Sequence, residues 1–221
     1  DESTGNTIGG STAGRRNIIS GNAGDGIFID ADNNDVFGNY IGLDVSGSLA
    51  LPNEGDGIYI YSSGESPATT GNNIGGTIPG QSNVISGNTD SGIRLVNANA
   101  NFIKNNIIGL NAAANAAVPN HNGIVIAKGS ENEIGTYAVG SGNIISGNQY
   151  DGIYLINLAV TDNAIRRNLI GTNLSGSILP NGGSGISIEY ASENEIGGGT
   201  DFFNIIANNG SNGVDIYMGS S

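Results

Sequence analysis

Apolar residues in this chain come in short alternating bursts rather than long stripes. Gly26-Ile27-Phe28-Ile29, Gly57-Ile58-Tyr59-Ile60, Gly92-Ile93-Arg94-Leu95 and Gly152-Ile153-Tyr154-Leu155 share one form, with aliphatic residues two apart and a variable residue between them. A period of two places one side chain inward and the next outward, which predicts strands. No segment holds a helical stripe over three or four turns. The runs between bursts are rich in Gly, Asn, Ser and Pro, which interrupt helices.

The bursts repeat. Asn-x-Ile-Gly occurs at 6–9, 72–75, 132–135 and 194–197, a period of about 62 residues. Asn34-Asp35-Val36, Asn101-Phe102-Ile103 and Asn163-Ala164-Ile165 fall between these copies and halve the period to about 31. Merged, the first column of apolar positions is Ile8, Val36, Ile74, Ile103, Ile134, Ile165 and Ile196. A second column, again Asn-x-Ile, holds Ile19, Ile41, Ile85, Ile108, Ile145, Ile170 and Ile206. The Gly-Ile/Val-x-Ile/Leu bursts form the third, ending at Gly213-Val214-Asp215-Ile216. A repeat of this size is one turn of a solenoid, whose turns bury a core only by stacking. The pattern predicts an all-β, right-handed parallel β-helix of about seven rungs with three short strands each, forming a single domain over residues 1–221. The hand follows from the preference for right-handed crossovers.

The recurrent polar residues fit the same coil. Asn carries both donor and acceptor, so stacked copies are expected to form ladders. Gly before each third-column strand is expected to supply a backbone conformation that a Cβ forbids. Long connections alternate: odd rungs carry them between the first and second strands, and even rungs between the second and third, over 42–53, 109–120 and 171–181. An extra insertion at 62–71 breaks the rhythm. Loops on a rigid coil are where binding usually sits.

The strings Asn-x-Ile-Gly-Gly, Asn-Ile-Ile-Ser-Gly-Asn, Gly-Asn-Tyr-Ile-Gly-Leu-Asp-Val-Ser-Gly and Asp-Gly-Ile-Tyr resemble the repeats of right-handed parallel β-helix proteins secreted by bacteria or displayed on their surface. The resemblance spans essentially the whole chain and speaks to fold. It implies an extracellular or cell-surface setting. It does not select a function, because polysaccharide lyases, hydrolases, epimerases, adhesins, tailspikes and plain spacers share that architecture.

Composition narrows the partners. The chain has 38 Gly, no Cys, 20 acidic against 7 basic residues and a net charge of −13. That balance argues against nucleic acid and anionic membranes, and no apolar run is long enough to insert in a bilayer. The first residues, Asp1 to Gly5, do not read as a signal peptide, so an intracellular protein or a mature or excised piece is expected.

Three groups are candidates for chemistry. Glu131, Asp162 and Glu193 each precede a first-column Asn on consecutive rungs. Stacked carboxylates repel without a cation, so a calcium site is one reading; the plainer one is a solvated acidic edge eased by Arg166 and Arg167. Asp25 and Asp56 form a similar two-rung stack, read as turn residues bonding nearby backbone. Outward positions of the third sheet gather Phe28, Tyr59, Tyr61, Arg94 and Tyr154, a surface suited to stacking sugar rings or meeting a partner chain; exposed β-formers are the plainer reading. His121, the sole His, sits in a loop without an activating neighbour. Asn88-Thr89-Asp90 matches one polygalacturonase string, but that family's paired Asp, His-Gly and Arg-x-Lys strings are missing. Alginate epimerases' Asp-Pro-His-Glu and the calcium-loaded nonapeptide are missing too. The weight falls against an enzyme and leaves the question open. The leading expectation is a non-catalytic extracellular rod, adhesin or head-to-tail filament whose copies associate end to end. A carbohydrate-binding module comes second, and a calcium-dependent polysaccharide lyase or hydrolase third.

Overall fold

The computed structural model describes residues 3–63, 68–138 and 142–218. It is a parallel β-helix in which all three columns stack as read. The first sheet has seven strands, and Ile8, Val36, Ile74, Ile103, Ile134, Ile165 and Ile196 pair in unbroken register. The second likewise stacks Ile19 through Ile206 over seven strands. The third runs from Ile27–Ile29 to Val214–Tyr217. Inward residues of the middle rungs are completely buried, among them Ile74, Ile108, Ile126 and Ile165. Burying each such side chain favours folding by roughly 1.5–3 kcal/mol.

Asparagine joins the rungs in three ladders rather than two. In the second column Asn17, Asn39, Asn83, Asn106, Asn143 and Asn168 each donate through Nδ2 to the Oδ1 of the next, ending on Asn204, at 2.9–3.2 Å. That same Oδ1 accepts the backbone N–H of the Asn one rung before. The first column does the same except at Asn34, whose amide turns to the carbonyls of Ala31 and Asp32. Beside this gap Thr70 accepts the Asn33 N–H at 3.0 Å and donates its own to Asp32 Oδ1 at 2.6 Å. The unforeseen third ladder links Asn22, Asn53, Asn88, Asn120, Asn148, Asn181 and Asn209. Three of its members close the long loops, which hid the column in the sequence.

Two further expectations need correction. Gly at the head of each third strand is not there for its backbone angle, which lies outside the left-handed region. It is there for space: a Cβ on Gly152 would stand 2.6 Å from the carbonyl O of Gly185 and 2.9 Å from Ile170 Cγ2. The coil also has a fourth, shorter edge. Thr69–Thr70 pairs with Ala98–Asn99, and Gly129–Ser130 with Val160–Thr161, where Ala98 and Val160 are fully buried. Part of the insertion therefore builds a strand, while its residues 64–67 lie outside the described ones.

The three even-rung loops form a stack of their own. Each opens with Asp44, Asn111 or Asn173, whose Oδ1 accepts two backbone N–H groups a few residues on, as such residues do in turns. Ala112 N–H donates to the Gly47 carbonyl at 2.8 Å, and Asn173 Nδ2 to that of Ala114 at 2.8 Å. Leu43 and Val118 of the loops bury Val84 against the outside of the second sheet.

Candidate functional site

Phe28, Tyr59 and Arg94 occupy one register position on successive rungs, and Tyr61 lies two residues beyond Tyr59. The three rings form one cluster. Phe28 meets Tyr59 edge-on at 5.5 Å between centroids, Tyr61 lies 5.5 Å from Tyr59, and Phe28 is 6.0 Å from Tyr61. Phe28 remains 55% exposed, so the cluster presents an aromatic face to solvent.

Arg94 closes one side of this cluster. Its Nε donates to Asp56 Oδ2 at 2.7 Å, and Asp56 Oδ1 accepts the Ser91 N–H at 2.8 Å. Burial pushes the Asp56 carboxyl above its ordinary value, and the Arg94 guanidinium opposes that shift. Burial also raises the Tyr59 phenol. Arg94 is thus committed to Asp56. Asp25 also bonds across the rungs, accepting the Asp56 N–H at 2.7 Å.

Tyr154 stands apart from the cluster. It shares the register position, but Arg94 and Val125 separate it from Tyr59. Its hydroxyl bonds Glu189, which Tyr217 also approaches at 3.3 Å. Burial, reinforced by Glu189, drives the Tyr154 phenol strongly upward. Of the five residues read from the sequence, four come together and one belongs to another group.

Glu131, Asp162 and Glu193 stack one above another, but at a turn. Their φ angles are 58°, 56° and 59°, matching Gly5, Asn33, Gly71 and Ala100 in the same column. All three side chains are exposed. Among the described residues no group of three or more His, Cys, Asp or Glu is placed to hold a metal ion. The two arginines thought to ease this edge are engaged elsewhere: Arg166 pairs with Glu195 and stacks on Tyr137, and Arg167 stands over Phe202. His121 rests on Tyr150 at 4.3 Å between ring centroids, with Asn122 on its Nδ1.

The sequence reading passed over the outer face of the second sheet. Its residues are the central ones of each Asn-x-Ile: Ile18, Tyr40, Val84, Ile107, Ile144, Leu169 and Ile205. The signal was present, since every one of the seven is apolar. The equivalent positions of the first sheet include Asp35, Asn73, Glu133 and Glu195. Loops rise on both sides of this apolar stripe. Where they part, over the last four rungs, they leave a cavity of about 280 Å³ with Arg167 in its wall.

No protein-family model and no curated relative matches the chain. Among solved structures it is similar to the A-modules of two mannuronan C-5 epimerases from Azotobacter vinelandii, AlgE6 and AlgE4. The matches cover 88% and 92% of this chain and 56% and 55% of theirs, at 14% and 13% identity, with TM-scores of 0.46 and 0.48. The chain spans a little over half the length of those structures. At such identity and overlap, the fold assignment rests on the strand register itself.

Proposed function

We propose that this chain is a non-catalytic structural β-solenoid of the bacterial cell surface, a module of a rod, adhesin or head-to-tail filament. The observation that carries the reading is where its repeated chemistry goes. The recurrent Asn side chains are bonded from rung to rung, and the recurrent Ile side chains fill the core. Sedimentation velocity and negative-stain imaging over a concentration series test this. Growth into fibres with rising concentration is expected. A strict monomer at every concentration would exclude the filament.

A second reading rests on the aromatic cluster. Phe28, Tyr59 and Tyr61 offer ring faces to a sugar, and with Arg94 spent on Asp56 the surface suits a neutral glycan. The net charge of −13 disfavours acidic ones. A glycan array should then show binding that Tyr59→Ala abolishes. A blank array for the unaltered protein would remove this reading.

A further inference from the structure

The cavity over the second sheet has a floor, walls and an arginine in its lining. Ile107, Ile144, Leu169 and Ile205 make the floor, stacked in register on consecutive rungs. At ~4.8 Å per rung this is a strip about 14 Å long. Leu174 and Phe203 stand beside it and are 85% and 67% exposed. No Asp or Glu lines the cavity among the described residues.

Arg167 is the odd group. Its Nε is buried without a hydrogen-bond partner, the sole side-chain N or O atom in that state among the described residues. Arg16 holds the same position, immediately before a second-ladder Asn, and shows what a satisfied arginine does there. Its Nε donates to the Gly38 carbonyl at 3.1 Å, and its guanidinium lies 4.0 Å over the Tyr40 ring. At Arg167 the place of Tyr40 is taken by Ile205 of the cavity floor, and the guanidinium stands instead over the Phe202 ring, 5.4 Å from its centroid, which leaves Nε without an acceptor. A buried donor left unpaired is unfavourable, and native structures pair such groups with protein, water or ligand. In a chain with 20 acidic residues, none is placed to answer it here.

We propose that this cavity binds a small amphiphilic carboxylate of the fatty-acid class, its hydrocarbon chain lying along the aliphatic floor and its carboxylate on Arg167. The size fits a compact ligand, since small-molecule sites start near ~300 Å³. Ser82, Asn105, Asn106 and Asn168 also line the cavity, but the three Asn amides already donate within the coil; an aliphatic floor with a guanidinium in the wall suits a charged head on an apolar tail.

Octanoate, with octan-1-ol as its uncharged counterpart, tests this by calorimetry and by methyl spectra of the whole protein. Saturable octanoate binding is expected, with shifts at Ile144, Leu169 and Ile205. Arg167→Gln should weaken octanoate at least tenfold and leave octan-1-ol unchanged. Leu174→Asp, on an exposed loop residue that can change without unfolding the coil, should weaken both. The proposal fails if octanoate does not saturate, if Arg167→Gln binds it as well as the unaltered protein, or if the same methyls shift with protein concentration alone, which would make a second copy the occupant.

Discussion

The second and third sheets share an interior and differ outside. Inward, both stack Ile, Val and Leu without a break. Outward, the second sheet is apolar on all seven rungs, while the third is varied, running from Phe28 and Tyr59 through Arg94, Val125 and Tyr154 to Asp215. Uniformity therefore has two meanings in this coil. On the inside it builds the core. On the outside of the second sheet it builds a surface that the loop residues Leu43 and Val118 partly cover, with a cavity over the last four rungs. On the third sheet, departures from the repeat create the one aromatic cluster.

The largest expected effect comes from breaking what the two sheets share. Asn143→Ala removes the acceptor of two Asn106 donors, one of the two donors to Asn168 Oδ1 and a donor to the Ile103 carbonyl, all fully or nearly fully buried. Losing four buried bonds at once should cost about 3 kcal/mol or more in denaturant unfolding. Asn204→Ala, on the part-buried last rung, should cost distinctly less. Equal losses would mean that the ladder does not gain from burial.

Gly152→Ala comes next. Space rather than backbone angle governs that glycine, so the added methyl must push the Gly185 carbonyl or Ile170 aside, costing about 2 kcal/mol. A neutral result would mean that the third-sheet glycines are there for another reason.

Arg94→Met sharpens the contrast on the outer face. It strands the buried Asp56 carboxylate, for a loss of about 1–2 kcal/mol at neutral pH. The pH dependence has a definite sign. Asp56 is held above its ordinary value of 3.8, so the folded chain binds that proton more tightly than the unfolded one. Stability from this group falls as pH rises from 3.8 through the raised value. Without Arg94 the raised value climbs further, so the variant should lose more stability over a wider window. Melting temperatures across pH 3 to 8, about the carboxylate range, check this.

The smallest effect concerns the acidic column. Glu131 holds a left-handed angle that favours glycine, so Glu131→Gly should stabilise by about 1 kcal/mol or less. Its melting temperature should be the same in calcium and in chelator. A calcium-dependent rise in the unaltered protein, lost in the variant, would instead assign that column an ion.

The fold was largely legible because every strand obeys one period and one register, and the positions carrying it are Ile, Val and Asn. The site was less so, for physical reasons. Asn53, Asn120 and Asn181 lie at the ends of long loops of unequal context, so their ladder emerged only once the loops closed. Tyr154 matched Tyr59 in sequence position, yet two intervening rungs and Glu189 set it apart. The central residue of the second-column Asn-x-Ile is apolar on every rung, and only the placement of Leu43 and Val118 shows that surface to be partly covered. Arg167 could not be told from Arg16 until their neighbours were in place.

The central claim is that the repeat is scaffold and that the two outer faces hold separate sites. One assigned sample, titrated first with a neutral β-linked glucan hexamer and then with octanoate, tests it most directly. The prediction is two separate sets of shifted resonances, Phe28, Tyr59, Tyr61 and Arg94 for the first ligand and Ile144, Arg167, Leu169 and Ile205 for the second, with the Asn side-chain amides of the middle rungs unmoved. Shifts that overlap, or that centre on the ladders or on Glu131, Asp162 and Glu193, would contradict it.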